Sequence, residues 1–132
     1  MRDLIALVID DDKSLAQGFA IALQQCGFIV QHISNASQAL YAIETIRPDV
    51  ITLDLHQVSG IDILKMVRQS PEFASLKIIV TTASITMSHD PTIIELADAI
   101  LIKPVNLAQF TSFARRFAER RNEEIINGSS EV

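Results

Sequence analysis

Short runs of Ile, Val and Leu alternate along the chain with stretches whose apolar residues recur at helical spacing. The runs Leu4–Ile9, Val50–Leu53, Ile78–Val80 and Ile100–Ile102 are apolar almost throughout, as strands buried on both faces of a parallel sheet are. Phe28–Ile33 reads as a further strand. Between them, Leu15, Phe19, Ala22, Leu23 and Cys26 share one helical face, and Gly27 stands where a left-handed C-terminal cap is needed. Ser34 and Asn35 are capping residues before Ala39, Leu40, Ile43 and Ile46, a helix that must stop at Arg47 because Pro48 follows. Gly60–Ser70 predicts a third helix. Asp90, as N-cap, and Pro91, at the first helical position, open a short fourth helix through Ile93, Ile94 and Ala97. Asn106 caps a fifth helix with the stripe Leu107, Phe110, Phe113, Ala114 and Phe117, running to about Ile126. Asn127–Val132 offer little to bury and read as a flexible tail or the start of a linker after a domain over 1–126.

Strand-then-helix alternation predicts an α/β fold: a doubly wound, five-stranded parallel sheet with right-handed crossovers and helices on both faces. Ligands of such sheets bind outside the carboxyl ends of the strands. Asp10, Asp11, Asp54, Thr82 and Lys103 each follow an apolar run, so the fold would gather them at one edge. Three carboxylates, a hydroxyl and an ammonium suit a divalent cation and a phosphoryl group. Carboxylates so close would raise one another's pKa values unless a cation neutralised them.

Composition narrows the partners. At 132 residues and 48% hydrophobic, the chain has enough apolar surface for one core. A net charge of −5 argues against direct nucleic-acid binding and for protein partners. The single cysteine, Cys26, excludes a disulfide framework and reads as a small apolar residue. The apolar stretch Leu4–Ile9 meets aspartates too soon for a signal peptide, and no run is long enough for a membrane span, so the expected place is the cytoplasm. Asp12 reads as a helix cap. His32 and His89 lack ligand neighbours at workable spacing, and Arg115, Arg116, Arg120 and Arg121 interleave with glutamates as on a solvated helix face.

Val8-Ile9-Asp10-Asp11-Asp12, Asp49-Val50-Ile51-Thr52-Leu53-Asp54-Leu55, Thr81-Thr82-Ala83 and Lys103-Pro104 together resemble the receiver domain of two-component response regulators, of the chemotaxis-regulator kind. The resemblance spans roughly Leu4 to Arg121. It implies a flavodoxin-like sheet of order 2-1-3-4-5 and a phosphoprotein of phosphorelay signalling, not an enzyme acting on external substrates. It further implies Mg²⁺ held by Asp10 (mainly through water), Asp11, Asp54 and the backbone carbonyl of His56. Asp54 would be the phosphoacceptor, forming an aspartyl phosphate at the expense of a phosphohistidine on a sensor histidine kinase or phosphotransfer protein. Lys103, the Thr82 hydroxyl and the Ala83 N–H would bind the phosphoryl oxygens. Movement of the loop after Thr82 would switch a homodimer or output-domain contact through the fourth helix, fifth strand and fifth helix, with neither membrane nor nucleic acid engaged.

Departures from the family pattern concern the lifetime and transmission of the signal. The family usually places a glycine eight residues after the phosphoacceptor with a proline between; here Gly60 is six from Asp54 and no proline intervenes, so the loop carrying His56 is short. Ile100 stands three before Lys103, where an aromatic ring often acts as the switch. Ala83-Ser84-Ile85-Thr86-Met87-Ser88 is unusually apolar for an exposed loop. His56, Ser84 and Ile100 are therefore the expected modulating positions, His56 by shielding the phosphoryl group or by orienting water. Two alternatives stay open: a pseudo-receiver that binds partners without phosphate, and a metal-dependent aspartyl-phosphate phosphohydrolase. The latter needs a second aspartate where His56 stands.

Overall fold

A computed structural model describes residues 2–56 and 58–130, without the side chains of residues 58, 59, 129 and 130. Five strands, β1 (Leu4–Ile9), β2 (Phe28–Ile33), β3 (Val50–Asp54), β4 (Lys77–Thr82) and β5 (Ala99–Ile102), form one sheet of order β2-β1-β3-β4-β5. Every pairing is parallel. The flavodoxin-like architecture expected from the pattern is therefore the one observed.

The helices are α1 (Lys13–Gln25), α2 (Ala39–Ile46), α3 (Val58–Gln69), α4 (Ile85–Ser88), α5 (Pro91–Leu96) and α6 (Leu107–Ser130). The two faces of the sheet carry separate cores. On one, Leu7, Ile9, Ile51, Leu53, Ile78 and Val80 meet Ile43, Leu64, Val67 and Ile93 from α2, α3 and α5. On the other, Ala6, Val8, Val50, Ile79 and Leu101 meet Phe19, Leu23, Phe110 and Phe117 from α1 and α6. Phe19 and Phe110 are fully buried and stack with ring centroids 4.5 Å apart, which locks α1 to α6. Each such ring contributes about 1.5–3 kcal/mol by leaving water.

The punctuation works as the residues dictate. The Asp12 carboxylate accepts the Leu15 N–H, Asn106 accepts that of Gln109, and Asp90 that of Thr92. Gly27 has φ +97°, and Arg47 takes the left-handed position before Pro48 at φ 55°. Asn35 caps a 3₁₀ turn over Ala36–Gln38 that leads into α2. Boundaries differ in three places. β3 reaches Asp54 and β4 reaches Thr82, because continued ladder pairing carries these polar residues into the strands. Ser84 caps an additional single turn, α4, ahead of the helix that Asp90 opens. The long last helix does not stop at Ile126 but includes Asn127–Ser130, so the tail expected there begins no earlier than Glu131, outside the described residues. Once a helix is nucleated and anchored, each added residue gains one backbone hydrogen bond, which outweighs poor propensity.

Candidate functional site

The strand ends bring Asp10, Asp11 and Asp54 together, each offering a carboxylate oxygen within 4.8 Å of the others. Asp10 and Asp54 are buried because they continue the apolar strands β1 and β3, while Asp11 is exposed in the following turn. Within the cluster the two buried carboxylates are held alike. One oxygen of each is fixed by the backbone two residues on: Asp12 N–H donates to Asp10 Oδ1 at 2.9 Å, and His56 N–H to Asp54 Oδ1 at 2.8 Å. The other oxygen of each, Oδ2, is buried and accepts no hydrogen bond among the described residues. Such an atom ordinarily finds a donor or a cation.

Lys103 reaches in from the end of β5, its Nζ 3.2 Å from Asp54 Oδ1 and 4.0 Å from Asp10 Oδ2. Three carboxylates against one ammonium leave the cluster net negative. Burial raises the Asp10 pKa above its ordinary value, and the charges of Asp54 and Asp11 push the same way, against the Asp12 N–H and Lys103. The donors are all oxygens with two orphaned atoms among them, a set that fits a hard divalent cation such as Mg²⁺.

Thr82 ends β4 with its hydroxyl in a small circuit. It accepts the Ser84 N–H at 3.0 Å and donates toward Met87 Sδ at 3.8 Å, while Ser84 Oγ accepts the Met87 N–H at 3.1 Å. Ile100 is half-buried against the α3/α5 core, so an aliphatic residue fills the position of the absent ring.

The response regulator receiver domain model matches residues 6–115. The chain belongs to that family. The DNA-binding response regulator MtrA of Mycolicibacterium smegmatis is 33% identical over 127 residues, covering 94% of this chain and 54% of that protein. The probable transcriptional regulatory protein SilR of Salmonella typhimurium is 29% identical over 129 residues, 96% of this chain and 56% of that protein. The receiver domain thus spans about half the length of the curated relatives it matches. Among solved structures, the signal receiver domain of a DNA binding response regulator protein from Colwellia psychrerythraea superposes with a TM-score of 0.80 at 26% identity, over 89% of this chain and 99% of that one. Receiver domains are signalling modules of two-component systems. The expectation that nucleic acid plays no part finds no support here, since MtrA is by name a DNA-binding regulator; net charge speaks only for the residues it counts. Among the described residues no helix is long and apolar enough to cross a membrane.

Other expected positions of this receiver domain fall as follows. Ala83 is exposed beside Thr82, and the His56 side chain is exposed above the cluster. His32 is structural, its Nε2 2.7 Å from the Asp10 carbonyl, and His89 folds back on the Ile85 carbonyl at 2.9 Å. Arg121 corrects the reading of a solvated basic face: it donates to the buried Asp49 at 2.9 Å, because α6 crosses the amino-terminal end of β3. Cys26 is half-buried rather than buried. Sequence reasoning passed over Met87, whose sulfur meets Thr82, because a partner five residues away across a capped turn carries no periodic signal. It also passed over the tightness at Gly60, where a Cβ would lie 2.9 Å from the Asp54 carbonyl oxygen. The six-residue spacing was the available clue: a short connection draws α3 onto the strand end.

Proposed function

We propose that Asp54 accepts a phosphoryl group from a phosphohistidine of a sensor histidine kinase or phosphotransfer protein. One observation carries this reading: Asp54 has one oxygen fixed by His56 N–H and Lys103 and the other buried without a donor among the described residues. A carboxylate so held is oriented yet has a lone pair to offer. An Asp54 oxygen forms the bond to phosphorus as the P–N bond breaks, the electron pair leaving with the imidazole nitrogen. Such a transfer asks chiefly for positioning and charge neutralisation. Asp10, Asp11, Asp54 and the His56 carbonyl would hold Mg²⁺, which when bound neutralises charge on the phosphoryl oxygens. Lys103 supplies the second positive charge.

The Thr82 hydroxyl and the Ala83 N–H then bind the transferred group. To do so Thr82 gives up Met87 Sδ, which loosens the Ser84-capped turn α4. With Ile100 in place of a ring, Met87 is the side chain that registers the change. Ile85, Ile94 and Ile102 lie exposed on α4, α5 and β5, and this apolar face, with the start of α6, is the contact surface for a second copy or an output domain. The same reading places the domain in the cytoplasm.

The test is intact mass after incubation with acetyl phosphate and Mg²⁺. One added phosphoryl group is expected, lost on Asp54→Asn and on chelation of Mg²⁺. An Asn variant labelled as fully as the parent refutes the assignment.

A further inference from the structure

Thr81 interrupts an otherwise aliphatic stretch, and its hydroxyl is 1% exposed with no hydrogen-bond partner among the described residues. Its place in the sheet makes that unusual. Asp54 and Thr81 are register partners on β3 and β4, so their side chains leave the same face, the one covered by α1 and α6. Leu101 is the register partner of Thr81 on β5, and Lys103 lies two residues further along the same face. To bring its Nζ within 3.2 Å of Asp54 Oδ1, Lys103 must cross β4 over Thr81. Thr81 therefore lies between the ammonium and the carboxylate. Beside it is Asp54 Oδ2, an acceptor without a donor. A hydroxyl is a donor and an acceptor at once, and the two neighbours need one of each.

We propose that Thr81 is a positioning residue for the phosphoacceptor, accepting a hydrogen bond from the Lys103 ammonium and donating one to Asp54 Oδ2. The carboxylate is then held at both oxygens, by His56 N–H and Lys103 at Oδ1 and by Thr81 at Oδ2. A carboxylate oxygen has a second lone pair, so this hold leaves Oδ2 able to meet a cation or phosphorus. Thr81 touches neither reactant; it fixes the rotation of the group that does. The inference rests on the phosphoacceptor reading of Asp54.

Thr52 supplies the control, being equally buried and equally unpartnered but one layer deeper, with Val8 and Ile79 as its register neighbours. Thr81→Val and Thr52→Val each exchange a hydroxyl for a methyl at nearly constant volume. Thr81→Val should slow labelling of Asp54 by acetyl phosphate and Mg²⁺ about threefold to tenfold, the loss of one ordinary hydrogen bond. Thr81→Ser should restore it, and Thr52→Val should label at the parent rate. A second readout needs no phosphate: in Mg²⁺-free protein the ¹³C shift of the Asp54 side-chain carboxyl should move in Thr81→Val and return in Thr81→Ser. If the parent takes no label, the phosphoacceptor reading fails while the carboxyl shift still decides the hydrogen bond. If Thr81→Val labels like the parent, leaves the carboxyl shift in place and gains stability as Thr52→Val does, Thr81 is an idle core hydroxyl and the proposal is overturned.

Discussion

Replacing Asp49 by alanine should cost about 2–4 kcal/mol of folding stability while leaving the chemistry at Asp54 untouched. Asp49 closes the amino-terminal end of the sheet, at the opposite end of β3 from Asp54. Its side chain is 1% exposed and accepts from Arg2 at 2.7 and 3.1 Å, from Ile5 N–H at 2.9 Å and from Arg121 Nε at 2.9 Å. Breaking a fully buried ion pair costs about 3–5 kcal/mol. Arg2 is 46% exposed and can turn to water, so its share falls to that of a surface pair, at most about 1 kcal/mol. What remains is Arg121, 23% exposed, and the orphaned Ile5 N–H, each worth about 1–2 kcal/mol. The pH dependence has a definite sign. Burial pushes the Asp49 pKa up, but hydrogen bonds from Arg2, Ile5 N–H and Arg121 outweigh it and hold the value below the ordinary one. A depressed carboxylate stabilises the fold fully above its unfolded pKa, about 3.9, and loses that contribution as pH falls through the folded value. Urea unfolding of parent and variant should therefore show a constant gap between about pH 7 and 5 that closes below about pH 4. A gap under about 0.5 kcal/mol at pH 7, or one that closes already between about pH 7 and 5, refutes the reasoning.

Gly60→Ala places a Cβ 2.9 Å from the Asp54 carbonyl oxygen and 3.2 Å from Leu55 Cα. It should cost about 1–3 kcal/mol in chemical denaturation and slow labelling of Asp54, whereas Gly128→Ala, with nothing within 4 Å, should cost nothing. Met87→Leu keeps the volume but removes the sulfur acceptor of Thr82; amide shifts of residues 84–91 on adding beryllofluoride should shrink, and unchanged shifts would show that the sulfur transmits nothing. Asp10, whose pKa is raised, destabilises the fold when ionised, so Asp10→Asn should raise the melting temperature without Mg²⁺ and abolish the further rise on adding it. His56→Ala should speed loss of the phosphoryl group severalfold if the side chain shields it; slower loss, with a parent rate rising through about pH 6.5, would establish a general base.

The strand set and its order were legible because five buried parallel strands leave a plain aliphatic signature, and their downstream polar residues converge by topology alone. Asp10, Asp54 and Lys103 meet because they extend apolar runs, so recognising the runs located the site. What stayed hidden depends on contacts between residues without periodic relation. Arg121 looks solvated along α6, yet the helix passes the start of β3 and delivers the guanidinium to Asp49. Ser84 caps α4 only because Thr82 fixes its N–H, a local circuit with no hydrophobic pattern. The end of α6 was misplaced for the opposite reason: Asn, Gly and Ser argue for a tail when judged singly, while an anchored helix carries them along.

The short loop after Asp54 bears on the whole site. With Gly60 six residues on, the first turn of α3 lies against the Asp54 carbonyl, and the chain between them must turn at once. That turn aims His56 N–H at Asp54 Oδ1, the oxygen Lys103 also approaches. Permanent positive partners thus collect on one oxygen. Oδ2 of Asp54 and Oδ2 of Asp10 have no hydrogen-bond donor among the described residues, and Lys103 Nζ stands 4.0 Å from the latter. Repulsion between these carboxylates is part of what raises the Asp10 pKa, and it is a cost that the apolar strands beneath make up. A cation would relieve it most strongly at the two uncovered oxygens, because fixed donors already serve the others. The asymmetry built by one short loop therefore directs both the metal and the incoming phosphorus to the same side of Asp54.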